Sequence, residues 1–254
     1  MKIFKTFFLL LFICSGLNAQ TADEIIQSYF DNTGGYENWG NLEGVKMTGV
    51  AKTQGMDIPV EIYQLEGGEQ LIKIDVQGQQ LTQLAFDGET AWTTNFMTMK
   101  PEKSDSETTE NIKRQSKDFP SPFYNYKEKG YEVEMMGTET MEGTEVYKIK
   151  LTQQPVLVNG KEEPNVTYYF FDTENNVIIA SESEIKMGPM KGQTNKSTLS
   201  GYQEVDGLYF PFDLTMMGSS ISIEEIQLNP EIDDDMFEFP EVEDEKEADD
   251  QNKN

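Results

Sequence analysis

The sequence predicts a mainly β protein built from one large antiparallel sheet, because short stretches of alternating apolar and polar residues recur along most of it. Gly, Asn and Asp separate these stretches. The pairs Gly67-Gly68, Asp87-Gly88, Asn159-Gly160, Asn175-Asn176 and Asp206-Gly207 contain residue types that tolerate the positive φ of tight hairpins. Strands that follow one another in the chain are therefore expected to pair.

About a dozen strands are expected. In chain order they lie near Val45–Thr53, Ile58–Leu65, Leu71–Gln77, Gln80–Phe86, Ala91–Asn95, Tyr131–Met136, Glu145–Gln153, Val166–Asp172, Val177–Glu184, Ser197–Val205, Leu208–Thr215 and Ser220–Leu228.

Two helices are expected. In the first, Thr21 and Glu24 have the spacing of a capping box, an apolar stripe runs from Ile25 to Phe30, and Gly34-Gly35 ends the helix. This helix is expected to pack on the sheet. The second spans about Thr108 to Asp118, is mostly polar, and leads into an aromatic segment. It is either a lid over one end of a curved sheet or a long covering connection.

Several predicted strands are apolar on both faces. Tyr168 and Phe170 alternate with Tyr169 and Phe171, whereas a sheet with one wet face should alternate polar with apolar residues. Two architectures meet this requirement. One is a strongly curved, partly closed barrel with an apolar interior, and the other is a β-sandwich whose inner faces meet without a cavity.

The chain ends are expected to lie outside this domain. Residues 1–19 have the basic start, apolar run and small-residue exit of a signal peptide cleaved near Ala19, so the protein is expected to be exported to the periplasm. Residues 20–240 form the predicted domain. Residues 241–254 carry seven acidic residues and two lysines with only two apolar residues, and this tail is expected to be disordered.

Composition excludes several classes of function. The chain has no histidine and its one cysteine, Cys14, lies in the leader, so a Ser-His-Asp triad and a disulfide are excluded from the exported protein. No cofactor motif is found, and no metal site is expected. Loss of Lys2 and Lys5 with the leader takes the formal charge from −26 to −28, which argues against nucleic acid and anionic membranes as partners.

The order of several segments is similar to that of a known family. Ala22 to Ile26 opens a helix that ends at Gly34-Gly35, Phe86 to Trp92 contains a "DG…W" turn and strand, and Ile232 to Phe237 follows an "I-D-D-x-x-F" pattern. Over most of Thr21 to Pro240 the chain resembles periplasmic outer-membrane lipoprotein-sorting proteins, the LolA-like group.

This resemblance implies an unclosed, strongly curved antiparallel β-barrel with helices over its mouth and an apolar cavity for acyl chains, without catalytic residues. It also implies a structural role for Asp233–Asp235. The family's lid is latched by an arginine on an early strand, whereas the only arginine here, Arg114, lies in the predicted lid. The family's arginine latch therefore has no equivalent at the same place in this sequence.

Alternation along the strands selects the candidate wall of the cavity. These residues are Ile58, Val60, Ile62, Ile72, Ile74, Leu84, Phe86, Trp92, Phe96, Met97, Met135, Tyr168, Phe170 and Phe212. The candidate lid residues are Arg114, Phe119, Phe123 and Tyr124.

The sequence thus favours a monomeric, non-enzymatic carrier of acylated lipoproteins or lipids, with an inner-membrane donor and an outer-membrane acceptor as further partners. Two other classes stay open. One is an envelope interaction or sensor module of the same fold that binds a polypeptide, and the other is an enzyme that uses only carboxylates, tyrosines or lysines.

Overall fold

The computed structural model describes residues 20–53, 55–216 and 218–240. The predicted signal peptide (1–19) and the predicted acidic tail (241–254) lie outside the described residues, so both stay predictions.

The described chain contains three α-helices and thirteen strands. The helices are α1 (Ala22–Asn32), α2 (Tyr36–Gly40) and α3 (Ser106–Gln115), and short 3₁₀ turns cover Ser116–Asp118 and Asp234–Met236. The strands are β1 (Gly44–Thr53), β2 (Met56–Leu65), β3 (Gln70–Val76), β4 (Gln79–Phe86), β5 (Ala91–Thr94), β6 (Pro101–Lys103), β7 (Glu132–Met141), β8 (Thr144–Val158), β9 (Lys161–Asp172), β10 (Ile178–Glu184), β11 (Thr194–Val205), β12 (Leu208–Met216) and β13 (Ser219–Leu228).

All thirteen strands belong to one antiparallel sheet, in the order β6-β5-β4-β3-β2-β1-β13-β12-β11-β10-β9-β8-β7. Consecutive strands pair with each other, except β6 and β7, and β1 also pairs with β13. The sheet therefore consists of two meanders, β1–β6 and β7–β13, joined at the β1–β13 pair. Its two edge strands, β6 and β7, do not pair with each other, so the sheet is not closed into a barrel.

The structure confirms the twelve predicted strands and both predicted helices, and it adds β6 and α2. The Thr21 side chain accepts a hydrogen bond from the Glu24 backbone while the Glu24 carboxylate accepts one from the Thr21 N–H, which completes the capping box. Among the predicted turns, Asn159-Gly160 and Asp206-Gly207 have positive φ at both residues. Local turn chemistry therefore specifies the hairpins.

The sheet is strongly curved. In a flat sheet, ten strand spacings would separate β5 from β8, a distance of about 48 Å. Helix α3 has ten residues and a length of about 15 Å, yet it contacts both strands. The two edges of the sheet must therefore curl towards each other, and this curvature gives the sheet an inner and an outer face.

The strand register assigns side chains to these faces. Val45 and Met47 of β1 belong to the cluster that packs against α1, so the face they share is the inner face. The two ends of the sheet are equally well defined because neighbouring strands run in opposite directions. The upper end carries the β1–β2, β3–β4, β5–β6, β8–β9, β10–β11 and β12–β13 turns, and the lower end carries the β2–β3, β4–β5, β7–β8, β9–β10 and β11–β12 turns.

Candidate functional site

Helices fill the inner face of the second meander. The ring of Tyr29 from α1 lies 5.8 Å from that of Phe171 on β9, and the ring of Trp39 from α2 lies 5.1 Å from that of Phe210 on β12. Phe123, from the segment after α3, lies 4.8 Å from the ring of Tyr169. We call this region the filled half. It is an aromatic core in which Phe123 and Phe171 have no exposed surface.

Two hydrogen bonds place the helices of the filled half at the lower end of the sheet. The Asn32 side chain donates to the Asn175 carbonyl in the β9–β10 turn over 2.6 Å. The Tyr209 backbone N–H, next to the β11–β12 turn, donates to the Thr33 carbonyl over 3.0 Å. The apolar stripe of α1 therefore packs against the inner face of the sheet near its lower end.

The inner face of β2, β3 and β4 is apolar but belongs to none of the three buried clusters of the described chain. We call it the aliphatic trough. Its residues are Ile58, Val60, Ile62, Ile72, Ile74, Leu81 and Leu84. Val60 and Leu81 are buried, whereas the other five are half-buried and remain in contact with solvent.

The trough continues across the seam between the two meanders. The register aligns two cross-strand rows on the inner face, each reaching from β13 through β1, β2 and β3 to β4. The rows are Ile226-Met47-Ile62-Ile72-Leu84 and Ile223-Gly49-Val60-Ile74-Leu81. Four strand spacings give each row a length of about 19 Å, free of polar side chains.

Gly49 lies at the seam, where the β1–β13 register shifts at a β-bulge between Thr48 and Gly49. A Cβ at this position would clash with the backbone of Ser222 and Ile223 on β13. The glycine thus permits the close approach of β1 and β13, and bulges of this kind bend a sheet locally. The bulge at Gly49 therefore bends the sheet at the β1–β13 pair, next to the trough on β2 to β4.

The outer face of the first meander is covered by the end of the described chain. Tyr63, Leu71, Ala85 and Trp92 form a buried cluster with Phe237, and the indole N–H of Trp92 donates to the Phe237 carbonyl over 2.9 Å. The Asp234–Met236 turn precedes Phe237. This segment packs on strands β2 to β5 from outside, on the face opposite the aliphatic trough.

The structure distributes the predicted wall residues over several places. Seven lie on the inner face of the first meander: Ile58, Val60, Ile62, Ile72, Ile74, Leu84 and Phe86. Met135 and Phe212 lie on the inner face too, but pack against the filled half.

The predicted wall is wrong at five positions. Tyr168 and Phe170 belong to the outer face, where they pack near Val146 and Ala180, while their neighbours Tyr169 and Phe171 point inwards. Trp92 is also on the outer face. Phe96 and Met97 lie in the exposed β5–β6 turn. Period-two alternation separates the two faces of a strand, but where both are apolar it does not show which one is inside.

The predicted lid has two parts. Phe123 is buried in the filled half, with Phe119 and Tyr124 packed against the same cluster. Arg114 lies on α3, where its guanidinium donates to Glu110 (3.0 Å), to the Pro155 carbonyl (2.6 Å) and to Glu162 (3.1 Å). The aromatic residues therefore belong to the core, and Arg114 ties α3 to the β8–β9 hairpin.

Polar contacts attach helix α3 to the sheet, and none of its residues is buried. The Asn111 side chain donates to the Leu157 carbonyl and accepts from the Leu157 N–H, both at 2.8 Å. The Glu107 carboxylate accepts from the N–H groups of Asn159 and Gly160. The helix crosses from the upper end of β8 towards the β2–β3 turn, where Ser116 lies against Gly68.

A polar cavity of about 240 Å³ lies between α3 and the inner face of β8–β10. Within it, the Asp118 carboxylate accepts hydrogen bonds from the Tyr131 hydroxyl (2.9 Å) and the Gln153 amide (2.6 Å). Burial raises the pKa of Asp118 above its ordinary value, and it lowers the pKa of the neighbouring Lys129. The interior therefore offers a polar compartment in addition to the aliphatic trough.

Sequence reasoning missed the β13 and β1 residues that extend the trough, namely Ile221, Ile223, Ile226 and Met47. The pairing of β1 with β13 brings them there, and strand patterns do not reveal which distant strands pair. Leu81 was missed because a register shift between Thr82 and Leu84 places Leu81 and Leu84, three residues apart, on the same face.

Within 20–53, 55–216 and 218–240, no three His, Cys, Asp or Glu side chains are grouped as metal ligands. None of the helices in these same ranges is both long and apolar enough to cross a membrane.

Comparison of the chain with protein-family models and with curated proteins finds no match. Solved structures, however, share its fold. A LolA superfamily protein from Nitrosomonas europaea superposes with a TM-score of 0.52 at 12% identity, over 87% of this chain and 98% of the other. A DUF1329 family protein from Desulfovibrio piger gives a TM-score of 0.50 at 14% identity, over 84% of this chain and 97% of the other. The chain therefore has the LolA-like fold, an antiparallel sheet curled around its own interior without closing into a barrel.

Proposed function

We propose that this protein is a non-enzymatic periplasmic carrier that binds acyl chains of lipoproteins or lipids in the aliphatic trough for transfer towards the outer membrane. The observation that carries the proposal is the aliphatic trough on β2, β3 and β4, because five of its seven side chains are half-buried and none belongs to the buried cluster that contains the helices. A hydrocarbon chain would supply the missing cover.

The energetics favour such a ligand. Each CH₂ group moved from water to an apolar surface contributes roughly 0.8 kcal/mol. A chain lying along Ile62, Ile72 and Leu84 would replace solvent on three neighbouring strands and would require no hydrogen bonds from the wall. The polar cavity at Asp118 is available for the polar part of an amphiphile.

The alternative is a module that binds a polypeptide, and the unpaired edge strand β7 is the place to test it. A ten-residue edge can accept an added strand. However, Glu132, Glu134 and Glu139 lie along β7, and charged residues on an edge are a common protection against added strands. Addition of a polypeptide strand to this edge is therefore disfavoured, which supports the carrier over the polypeptide-binding module.

The first experiment is to isolate the mature protein gently from its native envelope compartment and compare its native and denatured masses. A carrier should release a bound lipid or acylated polypeptide on denaturation. An empty protein that also fails to bind a fluorescent acyl probe would contradict the proposal, and co-purification with a protein free of acyl groups would favour the interaction module.

Two matched variants locate the site. Ile72→Ser changes a half-buried aliphatic residue of the trough, and Val166→Ser makes a comparable change on the outer face of β9. Burying a hydroxyl against a hydrocarbon chain without a hydrogen bond costs about 1–3 kcal/mol, so Ile72→Ser should weaken binding of the acyl probe about tenfold. Val166→Ser should bind the probe like the wild type. Equal effects of the two variants would rule out the trough.

A further inference from the structure

Exposed apolar side chains are concentrated at the upper end of the sheet. Nine large apolar residues of the described chain are exposed, and seven of them lie in or next to upper-end turns. These are Met56, Phe96, Met97, Met99, Met187, Met190 and Met216. They come from four separate turns, β1–β2, β5–β6, β10–β11 and β12–β13, so they follow the curved margin of the sheet. We call this set the upper rim.

Part of the rim continues the inner face. Met56 is in line with Ile58 and Val60 on β2, and Met216 is in line with Leu214 and Phe212 on β12. Met97 is the most exposed residue of the set, at 87% of its full surface. At these positions the rim therefore extends the apolar inner face to the upper end of the sheet. Single exposed apolar residues need no explanation, but a set gathered at one end of a strongly acidic molecule does.

Charge is also divided between the two ends. The upper-end turns contain three lysines, Lys100, Lys186 and Lys191, and no acidic residue. The lower-end turns contain seven acidic residues and no lysine or arginine: Glu66, Glu69, Asp87, Glu89, Glu142, Glu174 and Asp206. The lower-end turns are therefore more acidic than the upper-end turns.

Neighbouring carboxylates moderate the positive charge of the rim. Lys186 pairs with Glu184 at 2.9 Å, and Lys191 lies 3.8 Å from Glu163. The carboxylates of Asp75, Glu102 and Glu107 also accept hydrogen bonds from the β3–β4, β5–β6 and β8–β9 turns. The rim thus combines apolar side chains with charges of both signs, and any surface that binds it must accept both.

We propose that the upper rim docks on the surface of a phospholipid bilayer. Methionine and phenylalanine side chains at separate turn tips can enter the boundary between headgroups and acyl chains, and the lysines beside them can donate to lipid phosphates. A ring of tips fits a planar surface better than a protein interface, which needs a contiguous buried centre. The acidic lower end then points away from the phosphates.

This orientation explains how a strongly acidic protein approaches a membrane. Repulsion by anionic lipids acts on the molecule as a whole, but it is screened beyond about 10 Å at ordinary salt, so the groups nearest the surface dominate. Binding should therefore depend mainly on the apolar tips and only weakly on the fraction of anionic lipid. The inference does not rest on acyl-chain carriage, because docking is measured without any ligand.

A tryptophan placed on the rim tests the proposal directly. The two natural tryptophans, Trp39 and Trp92, are buried, with 4% and 7% of their surfaces exposed, so brominated lipids should not quench them. Met97→Trp introduces the reporter at the rim. Met136→Trp is the matched control, because Met136 is also exposed (46%) but lies on the edge strand β7, away from the rim.

The mature chain with each substitution is mixed with vesicles of phosphatidylcholine, with and without phosphatidylglycerol, that carry brominated acyl chains. Fluorescence of the Met97→Trp variant should shift to the blue and be quenched, whereas that of the Met136→Trp variant should not change. Equal quenching of both variants, or quenching of neither, would overturn the proposal.

A second variant measures the contribution of the tips themselves. The triple substitution Phe96→Ser, Met97→Ser and Met99→Ser should weaken flotation with vesicles at least about tenfold, since three apolar side chains are lost. The single substitution Met136→Ser should leave flotation unchanged. Wild-type flotation of the triple variant would contradict the proposal. A wild-type protein that does not bind vesicles but self-associates through the rim in sedimentation velocity would also contradict it. That result would assign the rim to a contact with a second copy of the chain.

Discussion

The filled half and the aliphatic trough occupy the same face of one continuous sheet but differ in what covers them. In the filled half, α1, α2 and the segment around Phe123 pack against aromatic strand residues, and the core has no exposed surface at Phe171. In the trough, the strand residues are aliphatic, and five of seven are half-buried without a covering element. The filled half therefore stabilises the protein, while the trough keeps apolar surface available for binding.

The outer faces show the opposite arrangement. The segment around Phe237 covers the first meander from outside, whereas on the second meander Lys148 and Tyr168 remain half-buried on the outer face. Each half thus has a segment from outside the sheet on one face, and the buried cluster on the outer face of the second meander, Val146, Phe170 and Ala180, consists of strand residues. A strand that is apolar on both faces does not show which face is covered.

The largest expected effect separates the two regions by stability. Phe171→Ala should lower the free energy of unfolding by about 3–5 kcal/mol, because it opens a cavity among Tyr29, Phe123 and Tyr147. Ile72→Ala in the trough should cost about 1–2 kcal/mol, because this side chain is already in contact with solvent. Urea denaturation monitored by circular dichroism measures both. Equal losses would mean that the trough is as well packed as the core.

The next effect concerns the seam at which the trough begins. Gly49→Val should lower the free energy of unfolding by about 1–3 kcal/mol, because its side chain would meet the Ser222 backbone. Ala51→Val, two residues along the same face of β1, is the control and should change stability by less than about 1 kcal/mol. A Gly49→Val protein as stable as the control would show that the close approach of β1 and β13 is not required.

A smaller and local effect is expected at α3, which spans the two regions through polar contacts. Asn111→Ala removes both hydrogen bonds to Leu157 and should cost about 1–2 kcal/mol. Hydrogen exchange should then increase in α3 and at Leu157, but not in α1. Lys113→Ala, an exposed change on the same helix, should leave exchange unchanged. Faster exchange throughout the filled half would show that α3 contributes to the core.

The smallest effect is a dependence on pH inside the polar cavity. Burial raises the pKa of Asp118 in the folded protein, so between the unfolded value, about 3.9, and the raised value the folded state holds a proton that the unfolded state has lost. The contribution of Asp118 to stability should therefore be greatest at low pH and decrease as the pH rises through the raised pKa.

Asp118→Asn removes this contribution. The difference in free energy of unfolding between wild type and variant should shift against the wild type from pH 4 towards neutral pH. The pKa of Lys129 is lowered by burial, and this residue is present in both proteins. Parallel stability profiles of the two proteins would contradict a raised pKa for Asp118.

The sequence predicted the parts of this molecule that depend on local chemistry. Alternation located twelve strands, positive-φ turn residues located the hairpins, and the capping residues Thr21 and Glu24 located α1. Strand β6 has only three residues and begins with Pro101, so it carries no alternation to detect. Helix α2 has five residues, too few to show a helical stripe.

The candidate site was predictable only in part, for two physical reasons. On β2 and β3 the polar outer residues Glu61 and Lys73 mark the face opposite Val60, Ile62, Ile72 and Ile74, and these predictions fall on one face. On β9 both faces are apolar, so Tyr168 and Phe170 were assigned to the wrong side. Non-local pairing is the second reason, since nothing local in β1 or β13 shows that these strands are neighbours.

The β1–β13 seam also determines how the chain reaches this structure. Every other strand pairing joins consecutive segments, so each meander can form with short loop closures, which are fast. The seam must close most of the domain into one loop, and it is the step with the largest loss of chain entropy. We therefore expect the two meanders to gain order first and the seam to form late, so that the trough, which crosses it, is among the last surfaces to be assembled.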